Sequence, residues 1–465
     1  MESPSSELDR IHENGLFRVY PQRFWVLFVF CFLSFNQCMF WLTFSPIASS
    51  TESFYHVSEA TVDLLLNWGP IIFLPTLPLT YLILNTHHGL RKCVLIFAIV
   101  SLIATVIRLI PSIVMSSTDP HFHDLAVPFL HIGQILIAAT GPIGMALVSQ
   151  LSCLWFAPHE RTRATTINVL STSFGGAVSF LISPHLVSEP WRVPHLLYLH
   201  AGQALLACIF TLAYYPAEPP SPPSAAAHIR SAERFRIESL TETLKRFLHD
   251  ILHCCKDISC VLLILSGALM GGTLSAWGGL FATILAPLGY SENDAGWFGF
   301  GQSIAGIVGG LAMGFIADLP RFQRSLKSLM LISLTFSFIS CLLFQLSIRT
   351  MFWPDHPPLP SSVISIVIIL SINGFFNGAG SPLIYECLAE MMHPLPESLT
   401  ASIFVQLFNV VSLIFLAIAP NRAMLMNLLV LLMMTIGIIM VACARVTYKR
   451  KDDEQKKEKT LPISE

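Results

Sequence analysis

Long runs of hydrophobic residues, separated by short polar segments, dominate this sequence. A helix rises about 1.5 Å per residue, so about 20 apolar residues cross the ~30 Å hydrocarbon core of a bilayer. Because lipid offers no partner to backbone polar groups, runs of this length must be helical. The pattern predicts twelve transmembrane helices, at 24–50, 61–84, 93–114, 126–155, 165–187, 196–215, 258–285, 295–317, 326–348, 362–392, 398–419 and 423–444.

The basic residues give these helices an orientation. If the N-terminus is cytosolic, all but four of the 27 Lys and Arg residues fall on the cytosolic side, the exceptions being Arg108, Arg192, Arg349 and Arg422. This asymmetry follows the positive-inside rule and predicts that both termini are cytosolic. The net charge of −2 gives no overall field that would attract nucleic acid.

The longest polar interruption divides the predicted helices into two sets of six. It opens with the proline-rich segment PAEPPSPPSAAA and continues with apolar residues at helical spacing, which predicts a cytosolic amphipathic helix. We therefore predict an all-α membrane protein with an N-terminal tail (1–23), a six-helix bundle (24–215), a cytosolic linker (216–257), a second six-helix bundle (258–445) and a C-terminal tail (446–465).

Six helices, a long cytosolic linker and six more helices are typical of the major facilitator superfamily, in which two pseudo-symmetric bundles alternate around a central site. The segment GFIADLPRFQR resembles the cytosolic signature of that superfamily. The resemblance implies that this segment helps to close an inward gate through Asp318, Arg321 and Arg324. Arg161 and Arg163 are further gate candidates, whereas the corresponding loop of the first half, THHGLRK, lacks the acidic residue.

Longer segments resemble one family within the superfamily, the solute carrier family that contains the feline leukaemia virus subgroup C receptors. The resemblance is carried by WGPIIFLP (68–75), GQILIAATGP (133–142), WFAPHERTRATT (155–166), NDAGWFGF (293–300) and PLPESLT (394–400). It implies facilitated or proton-linked transport of small organic solutes. The solutes implied are choline-type cations for the receptors and pyridoxine-type vitamins, carried out of lysosomes, for another member; haem export has also been attributed to the receptors.

An aromatic site is expected at the middle of the first helix. Gln37 and Trp41 are one turn apart on one face, and the resemblance aligns both with cavity-lining positions. Trp277 lies at a similar depth in the pseudo-symmetric seventh helix. Two such indoles would suit a quaternary ammonium or a flat protonated ring, at ~0.5–2 kcal/mol per cation–π contact. The alternatives are an interfacial aromatic belt for the tryptophans and an interhelical hydrogen bond for Gln37.

Other polar residues within the spans complete the candidate set. Further cavity candidates are Asn67, Gln134, Asn373, Asn377 and Asn409. Ionisable residues inside a span are functional candidates by default, so Glu386 and His131 are candidates for proton coupling. The structural alternatives are a gate partner, together with Glu390, and a simple hydrogen-bonding histidine. Arg108 is expected to pair with Asp63 across the outer helix ends.

The sequence shows no Walker loop, HExxH or GxSxG motif and no metal-ligand spacing, so we expect neither an enzyme nor a cofactor. We expect a monomeric transporter in the lysosomal or plasma membrane, with the lipid bilayer and a small-molecule solute as its partners and no nucleic acid. The solute would be a choline-like cation or a pyridoxine-type vitamin, moved by alternating access, with proton coupling left open. One alternative is a haem or organic-anion transporter, which would require basic residues deep in the spans. Another is a membrane receptor that binds a ligand without transporting it.

Overall fold

Helices make up the regular structure of the described part of the chain in the computed structural model. The structure describes residues 18–84, 86–157, 160–223, 254, 256–319, 321–322, 324–353, 355–360, 362–392, 397–418, 422–449 and 452. The expected amphipathic linker helix and most of both tails lie outside these residues. An all-helical membrane fold is confirmed for the described residues.

Among the described residues, twelve long helices, α1 to α12, follow the predicted spans. They are α1 Gln22–Trp41, α2 Glu59–Leu84, α3 Gly89–Val114, α4 Phe122–Ala146, α5 Arg161–Leu186, α6 Val193–Ala213, α7 Ile258–Gly279, α8 Glu292–Asp318, α9 Leu326–Leu346, α10 Val363–Met392, α11 Glu397–Ile418 and α12 Ala423–Cys443. Eleven stretches of the described residues are long and apolar enough to cross a membrane, and α11 contributes the shorter apolar stretch Ile403–Ile418.

Three helices, α1, α4 and α7, end six to nine residues before their apolar runs do. The first run continues to residue 50, but α1 stops at Trp41 and is followed by a 3₁₀ turn, Ser45–Ile47, and a short helix, Ala48–Tyr55. Pro46 lies in that turn and has no N–H with which to continue the helical ladder. The fourth run continues to residue 155, but α4 stops at Ala146 and a short helix, Val148–Trp155, follows. The seventh run behaves similarly, because α7 stops at its terminal glycine and a five-residue helix follows. Hydrophobicity sets the length of a span but does not show where the backbone breaks.

The described helices form two compact units, one with α1 to α6 and the other with α7 to α12. Within the first unit α1 packs on α5, α4 packs on α2 and α3, and α3 packs on α6. Within the second unit α7 packs on α11, α10 packs on α8 and α9, and α9 packs on α12. The main pairings of the second unit therefore repeat those of the first unit six helices later, which is an internal structural repeat.

Glycines allow close helix pairings in both units. A Cβ atom on Gly175 of α5 would overlap the Phe35 carbonyl of α1. In the second unit, a Cβ atom on Gly272 of α7 would lie 2.6 Å from the Phe408 carbonyl of α11. Only glycine lets two helix backbones approach this closely, as is common between membrane helices. Glycine thus lets α5 approach α1 and lets α7 approach α11.

Candidate functional site

Gln37 and Trp41 face α2 and α4, and both side chains are half-buried. The Trp41 indole N–H donates to the Leu66 carbonyl of α2 across 3.1 Å. The Gln37 amide lies beside Gly141 of α4, where an added Cβ atom would be 3.2 Å from Gln37 Nε2. Phe73 of α2 borders the same glycine. The structure therefore brings the amide and the indole together on one side of α1, next to an aromatic ring.

Buried donors from α3 and α4 hold the C-terminal end of α1. Arg108 Nη1 donates to the Phe40 carbonyl at 3.2 Å, to Thr43 Oγ1 at 3.0 Å and to Gln134 Oε1 at 3.1 Å. Gln134 Nε2 donates to the Trp41 carbonyl at 2.8 Å. The last carbonyls of a helix lack intrahelical donors and carry partial negative charge, so a guanidinium and an amide stabilise this end.

Gln134 has no exposed surface, and both of its amide atoms are engaged by Arg108 and by Trp41. It was expected to contact the solute directly. In this structure it fixes the backbone of Trp41 instead, and a direct contact with solute stays a prediction.

The expected pairing between Arg108 and Asp63 is wrong. Arg108 is fully buried, and its guanidinium donates to the end of α1 and to Gln134. Asp63 is 2% exposed, and its Oδ2 atom has no hydrogen-bond partner among the described residues. The free carbonyls where α1 breaks, which the apolar run does not reveal, attract the guanidinium instead.

His131 is bonded to Trp68, the tryptophan beside Asn67. The Trp68 indole N–H donates to His131 Nδ1 across 2.9 Å. Because an indole N–H can only donate, Nδ1 must present a lone pair, so the bond requires the neutral imidazole. Asn67 is 6% exposed, and its side-chain oxygen has no partner among the described residues. These residues lie where α2 packs on α4.

Trp277 has no exposed surface in this structure. Its indole N–H donates to Asn427 Oδ1 of α12 across 2.8 Å. Its ring packs edge-on against Phe281 and Phe344, with centroids 4.8 and 5.2 Å away. Gln345 of α9 donates to the Asn427 carbonyl. Trp277 is therefore part of the core of the second unit, and a direct contact with a solute, which stays a prediction, would require these contacts to open.

The other amides of the second unit differ in how far they are engaged. Asn373 is fully buried, donates to Ser337 of α9 at 2.9 and 3.1 Å, and accepts from Gln302 of α8 at 3.0 Å. It therefore links three helices. Asn377 and Asn409 are half-buried, and the Asn409 amide donates to the Val405 carbonyl of its own helix. Of these three amides, Asn373 is the one whose structural role is plain.

The ionisable candidates of the second unit lie near the ends of its helices. Glu386 is half-buried and Glu390 is fully buried. Arg321 is exposed beside the Phe322 ring, and Arg324 pairs with Asp452 at 2.8 Å, where both side chains are about half exposed. The side chain of Asp318 lies outside the described residues. The gate assigned to these residues stays a prediction.

The gate candidates of the first unit flank an ion pair that the sequence did not suggest. Arg161 donates to the Phe156 carbonyl, and Arg163 is exposed. The pair joins Arg23, at the start of α1, to Glu160, immediately before α5, at 3.1 Å, with the two side chains 13% and 27% exposed. Glu160 and Arg23 are 137 residues apart in the sequence, so no local spacing signals their pairing.

Comparison with known proteins identifies the family of this chain. Residues 26–394 match the family model of the Major Facilitator Superfamily. The chain is 30% identical to the solute carrier family 49 member 4 homolog of Xenopus tropicalis, over 93% of each chain. It is 32% identical to the homolog of the same name from Xenopus laevis, again over 93% of each chain.

Two more distant matches agree in family or in fold. The choline/ethanolamine transporter FLVCR1 of Mus musculus is 24% identical over 92% of this chain and 76% of that protein. The xylose transporter XylE from E. coli, in a partially occluded inward open conformation, superposes with a TM-score of 0.65 at 15% identity, covering 92% of this chain and 99% of that one. The resemblance seen in the sequence is confirmed: the chain is a multi-pass membrane transporter that belongs to solute carrier family 49 of the major facilitator superfamily.

Proposed function

We propose that this transporter moves a small organic cation of the choline class, or a pyridoxine-type vitamin, and that Trp41 forms the aromatic wall of its binding site. The observation that carries the proposal is the state of Trp41. Its indole N–H is already bonded to Leu66, yet the side chain keeps exposed surface. A solute therefore meets the ring and not the N–H, and the face of an indole attracts a cation.

The polar groups beside Trp41 present no exposed positive charge that would bind an anion. Gln37 supplies an uncharged amide one turn away on the same side of α1. The nearby guanidinium of Arg108 is fully buried and donates to Phe40, Thr43 and Gln134, so it presents no exposed charge to an anionic solute. The mouse relative that carries the name choline/ethanolamine transporter supports the same solute class.

For proton coupling, His131 is our first candidate and Glu386 our second. Protonation of His131 would remove the lone pair that accepts the Trp68 indole N–H, so one proton would break a contact between α2 and α4. The asymmetry of the basic residues supports cytosolic termini, in either a lysosomal or a plasma membrane.

Transport in proteoliposomes tests the solute class. Labelled choline, ethanolamine and pyridoxine are offered to wild type, Trp41→Ala and Gln37→Ala, with Trp191→Ala as the matched control because Trp191 is 54% exposed outside the long helices. We expect Trp41→Ala to lower the transport efficiency for the solute about two- to thirtyfold, the equivalent of one cation–π contact. The control should transport as wild type does.

Four results would contradict parts of this proposal. Unchanged transport in both Trp41→Ala and Gln37→Ala would remove the assigned site. Tight binding of a solute without flux would favour a receptor, and flux of anions or haem alone would overturn the solute class. If an inward pH gradient does not drive accumulation of the solute, transport is not coupled to protons.

A further inference from the structure

We propose that Leu66, Gly69 and Pro70 of α2 form an indole notch that fixes the orientation of Trp41, and that Gly69 and Pro70 are specificity-determining positioning residues. The geometry of the notch is independent of any solute, but its consequence for selectivity rests on the proposed function. No motif of the sequence assigned a role to these positions, although they lie within the segment NWGP.

Pro70 leaves the Leu66 carbonyl without its helical donor. In an α-helix each carbonyl accepts from the N–H four residues later, and the residue four after Leu66 is a proline, which has no N–H. α2 nevertheless continues through this position. A buried carbonyl needs a partner, and the Trp41 indole N–H supplies it across 3.1 Å.

Gly69 provides the space that the indole occupies. A Cβ atom on Gly69 would overlap Trp41 Nε1 and would lie 2.7 Å from Cε2 and 3.1 Å from Cζ2 of the same ring. Any other residue at this position would therefore push the indole away from the Leu66 carbonyl. Gly202 of α6 is the contrast within the same unit, because a Cβ atom there would meet nothing within 4 Å.

Trp41 is held from two sides at once. The notch binds its side chain from α2, and Gln134 of α4 binds its carbonyl at 2.8 Å. A side chain held in this way has lost its rotational freedom before a solute arrives, which lowers the entropic cost of binding. The notch thereby decides which face and edge of the ring a solute meets, and so the size of the cationic group that fits.

The experiment places Gly69→Ala and Pro70→Ala beside Gly202→Ala and Pro75→Ala, which make the same changes of residue type away from the notch. Each purified variant is labelled with 5-fluorotryptophan, and the fluorine resonance of Trp41 is identified by its loss in Trp41→Phe. We expect this resonance to shift in Gly69→Ala, where the added methyl displaces the ring. It should shift in Pro70→Ala as well, where the new N–H competes for the Leu66 carbonyl. It should not move in either control.

Transport of choline, ethanolamine and pyridoxine gives the second readout. We expect Gly69→Ala to raise the KM of the transported cation about tenfold with little change in the maximal rate, and Pro70→Ala to raise it less. In a Trp41→Phe background, Gly69→Ala should cause no further change in KM, because the atom that it displaces is gone.

Three results would overturn the notch. They are a Trp41 resonance that does not move in Gly69→Ala, one that moves equally in Gly202→Ala, and an effect of Gly69→Ala on KM that persists in Trp41→Phe. Failure of the proposed function looks different. In that case the resonance would still respond to Gly69→Ala, while Trp41→Ala would transport every tested solute as wild type does.

Discussion

The two units share their main helix pairings but differ in how they hold the tryptophan near the end of their first helix. α1 and α7 both break shortly after a tryptophan, in the same place of the repeat. Trp41 is half-buried and bonded to a backbone carbonyl, whereas Trp277 is fully buried and bonded to the Asn427 side chain. The two units therefore share a helix arrangement, but Trp41 keeps exposed surface whereas Trp277 is part of the core of its unit.

The groups around the two tryptophans differ as well. In the first unit a guanidinium, Arg108, and an amide, Gln134, bind the carbonyls of α1 and leave the Trp41 ring free of that task. In the second unit the Trp277 indole N–H bonds the Asn427 side chain, and Gln345 of α9 donates to the Asn427 backbone carbonyl. Trp41 therefore keeps exposed surface although its indole N–H is bonded, whereas rings and amides enclose Trp277.

Replacing Trp277 by alanine should have the largest effect on stability. Removal of a fully buried aromatic side chain leaves a cavity between Phe281 and Phe344 and an unpaired Asn427, and typically costs ~3–5 kcal/mol. Thermal unfolding of the purified protein measures the loss. Trp353→Ala, at an exposed position of the same unit, should change the free energy of unfolding by no more than ~0.5 kcal/mol. If Trp277→Ala is as stable as this control, Trp277 is not core and the contrast between the units disappears.

Arg108→Met should have the next largest effect. The change leaves the buried Gln134 Oε1 atom without its donor, at ~1–3 kcal/mol for an unpaired group, whereas the Phe40 carbonyl keeps the Thr43 hydroxyl at 2.6 Å. We therefore expect the free energy of unfolding to fall by ~1–3 kcal/mol. The matched control is Arg349→Met, because Arg349 is exposed and should tolerate the same change. Equal stability of the two variants in chemical or thermal unfolding would show that the charged cap does not hold α1.

Much of the fold could be predicted from the sequence because the bilayer imposes a length on every apolar run. The number of long helices, their approximate bounds and the family followed from run lengths, basic residues and a few motifs. The shared face of Gln37 and Trp41 followed from their spacing, since residues one turn apart cannot separate within a helix.

The partners of polar side chains could not be predicted in the same way. Gln134 and Asn373 were identified as polar residues within spans, but depth does not show which neighbour satisfies an amide. Arg108 was assigned to Asp63 by charge, whereas the break in α1 exposed better acceptors. Trp277 matched Trp41 in depth, and only the packing of α9 and α12 around it decided its burial. Gly69 and Pro70 are recognisable in the sequence as a glycine beside a proline within a helix. That they contact the Trp41 indole could be seen only once the position of Trp41 was known.

The smallest expected effect concerns the ion pairs at the helix ends, which also differ between the units. Arg23 and Glu160 are 13% and 27% exposed and join α1 to α5, whereas Arg324 and Asp452 are 55% and 53% exposed. Water screens an exposed pair, so Arg324→Gln should cost at most ~0.5 kcal/mol, while Arg23→Gln should cost ~1 kcal/mol.

A double-mutant cycle with Glu160→Gln isolates the pair, because Arg23 also lies over the rings of Phe24 and Phe156. The coupling energy of the first pair should shrink as salt is raised but should stay above that of the Arg324–Asp452 pair at every salt concentration. Equal coupling energies would mean that burial does not distinguish the two pairs. The difference between the units would then be confined to their tryptophans.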